Sequence, residues 1–152
     1  MKTIKEIKFK IADQKGASAV EFAIILPLLV IFLFGIIEFS ILFYDKAVIT
    51  NASREGARTG ILFREARPDY TEVRDVVINY CGDKLITFGD SSTQCDVDPL
   101  TFVECENHND QLTVNVTYQY EFLLIPGFLA AFFSGAHPGS INIDTETVMR
   151  CE

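Results

Sequence analysis

GASAVEFAIILPLLVIFLFGIIEFSILFY, residues 16–44, decides how this chain is built. Phe22 to Ile37 are sixteen residues without a charge, Glu38 interrupts, and Phe39 to Tyr44 resume the apolar character. Phe22–Tyr44 is 23 residues. At about 1.5 Å per residue that is roughly 35 Å of helix, enough to cross a hydrocarbon core of about 30 Å. The stretch therefore predicts a membrane-spanning helix over about 22–44, leaving room for one further domain in a chain of 152 residues.

Charge divides sharply around this stretch. Met1–Gly16 carries five lysines against Glu6 and Asp13, a net of +3, whereas the remaining 136 residues carry eight basic and nineteen acidic side chains, a net of −11. Lysines on the N-terminal flank predict a cytoplasmic N-terminus and an acidic domain across the membrane. An acidic domain argues against nucleic acid, whose phosphates need a basic patch; Arg54, Arg58, Arg64, Arg67 and Arg74 are too dispersed among acids to make one. Cys81, Cys95, Cys105 and Cys151 all follow the apolar stretch. On the periplasmic side they predict two disulfides. Their gaps contain no close CxxC pair, and His108 and His137 have no metal-site spacing, so no zinc site is expected.

The leader is too far from a cleavable secretory signal to be read as one. Its apolar run exceeds the 7–15 residues of an h-region, and no small-x-small site follows Tyr44. An uncleaved signal anchor and a cut before the apolar run both remain open. Glu21 bears on the choice, because a carboxylate at the start of a spanning helix is costly in lipid unless solvated or paired. A cut after Gly16 would create an α-amino group on Ala17, four residues from Glu21. The pair could form within one subunit or between staggered subunits, and would be strong in a low-dielectric assembly.

Gly16-Ala17-Ser18-Ala19-Val20-Glu21-Phe22 resembles a type IV prepilin processing site, with glutamate as the fifth mature residue. Glu21-Phe22-Ala-Ile-Ile-Leu-Pro27, Phe34-Gly35-Ile-Ile-Glu38-Phe39 and Ala52-Ser53-Arg54-Glu55-Gly56-Ala57-Arg58 closely resemble the TadE-like family of minor pilins (pseudopilins) of type IVc, or tight-adherence, pilus systems. The resemblance runs from Gly16 to Arg58, and Met149-Arg-Cys-Glu152 resembles the way such chains often end. It implies cleavage between Gly16 and Ala17 by a partner prepilin peptidase, with Glu21 and Phe22 acting in N-terminal pairing and assembly. It also implies work alongside other minor and major pilins and the inner-membrane assembly platform, toward an adhesive pilus. No cofactor, metal or catalytic residue is implied. A major-pilin role fits less well, since such subunits are usually much shorter. The competing class is a signal-anchored periplasmic enzyme or ligand-binding domain with an uncleaved N-terminus. It would want His grouped with Ser, Cys or Asp; neither histidine has an evident partner, and Ser53 has no nearby His or Asp.

Pro27 is tolerable in a spanning helix as a mild kink or preset bend, and Gly35 permits close helix approach. Glu38 reads first as an interfacial, solvated acid, with pairing to a neighbouring subunit as the sharper alternative. Arg54, Glu55, Gly56 and Arg58 lie in a region whose small residues allow tight packing, and the helix is expected to run from about Ala17 to about Glu65, before Arg67-Pro68.

The fold expected is α+β: this long helix, packed on a small antiparallel sheet with a short second helix. Asp69 or Thr71 is positioned to cap that second helix, whose apolar face is Val73, Val76, Val77, Tyr80 and Cys81, with Gly82 as its stop. Leu85–Phe88 is a possible short element and Thr101–Glu104 a possible strand start. Asp96, Asp98, Glu104, Glu106 and Asp110 form an acidic loop that lacks the spacing of a calcium loop. Leu112–Phe122 alternates as a half-buried strand, with Ile141–Met149 as its partner. Antiparallel pairing would bring Cys151 near Cys105, so Cys105–Cys151 and Cys81–Cys95 are the expected disulfides. Residues 123–133 are apolar but broken by Pro126-Gly127, and read either as a tucked loop or as a surface that meets membrane or another pilin.

Overall fold

The computed structural model describes residues 3–63, 67–82, 84–86, 95–122 and 139–151, with side chains from Gly16 onward. The elements are α1 (Thr3–Gly60), α2 (Tyr70–Gly82), β1 (Asp96–Val97), β2 (Gln111–Glu121) and β3 (Ser140–Arg150). This is an α+β arrangement with a three-stranded antiparallel sheet in the order β1-β2-β3. The chain divides into two compact units, residues 1–37 and 38–152. The first unit holds α1 as far as Ile37, and α1 from Glu38 onward belongs to the second.

Alternation decides the sheet. Leu112, Val114, Val116, Tyr118 and Tyr120 are buried, while the residues between them face outward or partly outward. β2 pairs with β3 along its whole length, from Gln111 opposite Arg150 to Glu121 opposite Ser140. Beyond the last rung the Cys151 amide donates to the Asp110 carbonyl (2.8 Å) and the Asn109 amide donates to the Cys151 carbonyl (3.1 Å). Asn109 takes a left-handed conformation (φ 71°), which asparagine tolerates better than most residues. This register carries Cys151 to Cys105, and the two form a disulfide.

α2 is capped by Asp69: its Oδ1 accepts from the Glu72 amide (2.9 Å), while Thr71 donates its hydroxyl to the same oxygen (2.7 Å). These bonds hold the Asp69 carboxyl below its ordinary pKa. Val73, Val77 and Cys81 form its buried stripe. Cys81 bonds Cys95, and Arg74 holds Asp96 in a two-point pair (2.7 and 3.1 Å), so the residues after Cys95 are delivered to β2 from both sides of that helix face. Tyr70 adds a hydroxyl bond to the Val97 carbonyl (2.8 Å).

Three expectations shift. α1 runs from Thr3 to Gly60 rather than from about Ala17 to about Glu65. The short strand is Asp96–Val97; of Thr101–Glu104, only Val103 pairs, as an isolated bridge to Thr113. Leu85 and Ile86 lie outside regular structure. The apolar stretch 123–133, His137, Thr87 and Phe88 lie outside the described residues.

Candidate functional site

α1 holds every candidate residue between Gly16 and Arg58, and it meets its surroundings in two ways. In the first unit, Gly16, Ala17, Glu21 and Phe22 are all exposed. Glu21 is the one ionisable side chain between Ala17 and Ile37. Apolar side chains point outward all round the helix, among them Ile24, Leu28, Phe32 and Ile36. Pro27 lies inside the helix and is half-buried. A Cβ placed on Gly35 would meet nothing within 4 Å, so among the described residues none makes use of close approach at Gly35. The helix is long and apolar enough to cross a membrane.

From Glu38 onward a stripe appears at helical spacing: Glu38, Asp45, Val48, Ile49, Ala52, Ser53, Gly56, Ala57 and Gly60 are buried. Small residues let the helix approach its own domain. A Cβ on Gly56 would lie 2.5 Å from Val77 Cγ2, and one on Gly60 would lie 2.6 Å from Leu112 Cδ2. The other face carries Arg54, Glu55 and Arg58, all exposed.

Three polar groups lie on the buried stripe. Glu38 is 1% exposed, so the solvated interfacial position expected for it does not hold. The Tyr120 hydroxyl donates to Glu38 Oε1 (3.2 Å) and lies 3.4 Å from the Glu38 carbonyl oxygen. Burial, then the Glu38 carboxyl, raises the Tyr120 pKa well above the ordinary tyrosine value. Asp45 accepts from the Ile86 amide at Oδ1 (3.0 Å), and its buried Oδ2 has no hydrogen-bond partner among the described residues. Desolvation raises the Asp45 pKa, against the lowering effect of that amide. Tyr118 is pushed up to about 12, chiefly by burial and then by the Asp45 charge. Ser53 Oγ lies 3.1 Å from the Val114 carbonyl and 2.7 Å from Thr147 Oγ1. Donating to the carbonyl, it accepts from Thr147, so this hydroxyl ties the helix to both long strands. Next to the stripe, Lys46 Nζ donates to the Asp144 carbonyl of β3.

Elsewhere the acidic loop is structural in its described contacts: Asp96 pairs with Arg74, Asp98 accepts from the Leu100 amide (2.9 Å) and Asp110 from the Asn107 amide (2.6 Å). His108 is exposed on a turn.

Glu38 was visible in the sequence but its partner was not; Gly60 reads as one of the small packing residues and Tyr120 as an inward-facing strand position, while Asp45 and the Ser53 tie were not singled out. The one signal that would have found them is the spacing 38, 45, 49, 53, 56 and 60, which continues a single helix face through residues of mixed polarity.

A family model described as TadE-like protein matches residues 16–58, which are the exposed apolar turns and nearly all of the buried stripe of α1. α1 is thus TadE-like over that segment. No curated protein and no solved structure matches the chain.

Proposed function

Taking the TadE-like match as premise, we propose that the chain is a minor pilin, or pseudopilin, of a type IVc tight-adherence pilus. The observation that carries the reading is the coincidence of that match with an exposed apolar helix whose only ionisable side chain from Ala17 to Ile37 is Glu21. Residues 1–16 are a basic leader, removed after Gly16 by a partner prepilin peptidase. Residues 17–66 hold the anchor and assembly helix, spanning the inner membrane over about 22–44. Residues 67–152 are the periplasmic domain, with the N-terminus cytoplasmic. The two disulfides support an oxidising compartment for that domain.

Cleavage exposes an ammonium on Ala17, and Glu21 pairs with that amine or a neighbour's. The helix then serves other pilins and the assembly platform, in starting or assisting an adhesive fibre. Ser53 is bonded into the sheet and the four cysteines are closed in disulfides.

Intact mass and N-terminal sequencing, with and without the peptidase, test this. A mature start at Ala17 that disappears without the peptidase is expected, with Glu21→Ala then abolishing assembly but not cleavage. A chain that keeps Met1–Gly16 in both strains is a signal-anchored protein, and the pilin reading falls.

A further inference from the structure

We propose that the Glu38 end of the domain is sunk into the outer interfacial layer of the bilayer, with Phe39, Phe43 and Tyr44 in lipid and the Ile141 end of β3 against its surface. This rests on the membrane-anchor reading above and adds a lipid-contact face on the domain itself.

Two faces of one helix change chemistry at different heights. On the packed face, the domain begins at Glu38, which is already buried against Tyr120. On the exposed face, apolar character continues through Phe39, Phe43 and Tyr44, which are 51%, 68% and 47% exposed. Polar residues take over after Tyr44, at Asn51, Arg54, Glu55 and Arg58. The overlap from Glu38 to Tyr44 is six residue steps, about 9 Å of helix. Over that height one side of α1 needs an apolar solvent while the other carries folded protein.

The sheet agrees with this level. Tyr120 reaches Glu38 and is paired in register with Ile141, so the Tyr120–Ile141 rung stands at the height of Glu38. Ile141 is 46% exposed, while Ile143, two residues further along the same strand face, is buried. Asp144 stands higher on β3, where Lys46 reaches its carbonyl. Lys46 is the first cation after the apolar stretch, and Tyr44 lies beside it. Tyrosine and lysine are the side chains that favour the headgroup level, with apolar stems or rings below and polar tips above. Lipid is favoured over a protein partner because the sequence from Phe22 to Tyr44 carries no charged side chain other than Glu38, which is buried.

The chain contains no tryptophan, so single tryptophans report depth directly. Full-length protein carrying Leu28→Trp, Phe43→Trp, Ile141→Trp or Val148→Trp is placed in phosphatidylethanolamine–phosphatidylglycerol vesicles. Quenching by brominated lipid is compared with quenching by aqueous acrylamide. Val148 is as exposed as Ile141 and lies toward the far end of the same strand, so it is the internal control. Emission at 28, 43 and 141 should be lost to brominated lipid, and emission at 148 to acrylamide. Emission at 28 lost to lipid with 43 or 141 lost to acrylamide overturns this inference and leaves the anchor standing. Emission at 28 lost to acrylamide overturns both. If Ile141→Trp fails to close its disulfides, Asn142→Trp reads the same height from the other strand face.

Discussion

The two halves of α1 are built from similar residues and put to opposite use. From Ala17 to Ile37 the helix buries no side chain fully: most of its leucines, isoleucines and phenylalanines point outward, and an apolar surrounding suits them. From Glu38 to Gly60 the same helix has a narrow stripe, and it buries three polar side chains, Glu38, Asp45 and Ser53, that the apolar half lacks. Hydrophobicity therefore does not distinguish the exposed half from the packed half of this element. Periodicity and side-chain size do. The first half is mostly large, while the buried stripe of the second mixes isoleucine and valine with alanine, serine and glycine, because a sheet and a helix must approach it to within van der Waals contact.

The contrast breaks most visibly under truncation. Ile49→Ala removes a fully buried side chain and should lower domain stability by about 3 kcal/mol, from lost transfer energy and the cavity left behind. Ile25→Ala, exposed in the first half, should leave the same unfolding transition unmoved. Denaturant titration of the full chain in detergent, followed through the tyrosine signal, measures both. Equal losses at the two sites would mean that the halves are not distinct environments.

Charge sharpens the contrast in the other direction. Leu29 and Asn51 are both exposed, yet Leu29→Asp should weaken membrane integration by about 3 kcal/mol, the insertion cost of an acid near the middle of a span. Asn51→Asp should integrate like the parent chain. A glycosylation-mapping insertion assay reads the difference. If both variants integrate alike, exposure in the first half means exposure to water.

Tyr120→Phe probes the junction. It deletes the hydroxyl that donates to Glu38 inside the core and should cost about 1–2 kcal/mol, the range for removing a partner of a buried polar group. Glu38→Gln should cost less, since an amide oxygen accepts the same bond. Tyr44→Phe, with its ring exposed, should leave domain unfolding unchanged, so a comparable loss there would place Tyr44 in the core as well.

Much of this architecture was legible in the chain, for definable reasons. β2 alternates cleanly over its length, and one alternating partner set the register well enough to pair Cys105 with Cys151. α2 announced itself by Asp69 at one end and Gly82 at the other. What was illegible depends on contacts distant in sequence. Tyr120 and Glu38 are 82 positions apart, so Glu38 read as a solvated acid. β1 is two residues long and is placed by the Cys81–Cys95 bond and the Arg74–Asp96 pair, neither of which is a strand signal. Gly60 ends α1 against Leu112, while local propensity alone carries the helix on toward Pro68.

The smallest expected effect is also the one whose sign says most. Asp45 lies on the buried stripe with one oxygen bonded to the Ile86 amide and the other without a partner among the described residues, and desolvation raises its pKa above the ordinary aspartate value. Tyr118 faces it and carries no charge near neutrality. A raised folded-state pKa means that the native state binds the proton more tightly than the unfolded chain. Its contribution to stability is then fully present below the unfolded aspartate pKa and is lost as pH rises through the folded value. Asp69 and Asp96, whose pKa values are lowered, act in the opposite sense, but they are the same in parent and variant. Asp45→Asn keeps an oxygen for the Ile86 amide and cannot ionise. Relative to the parent, it should gain about 1 kcal/mol between acid and neutral pH, the scale of an unsatisfied buried polar group. Urea titrations across that range read the difference directly. A variant that instead loses stability relative to the parent as pH rises from acid to neutral would mean that Asp45 is held as a carboxylate, and that the junction between the two halves is built on a charge rather than on a proton.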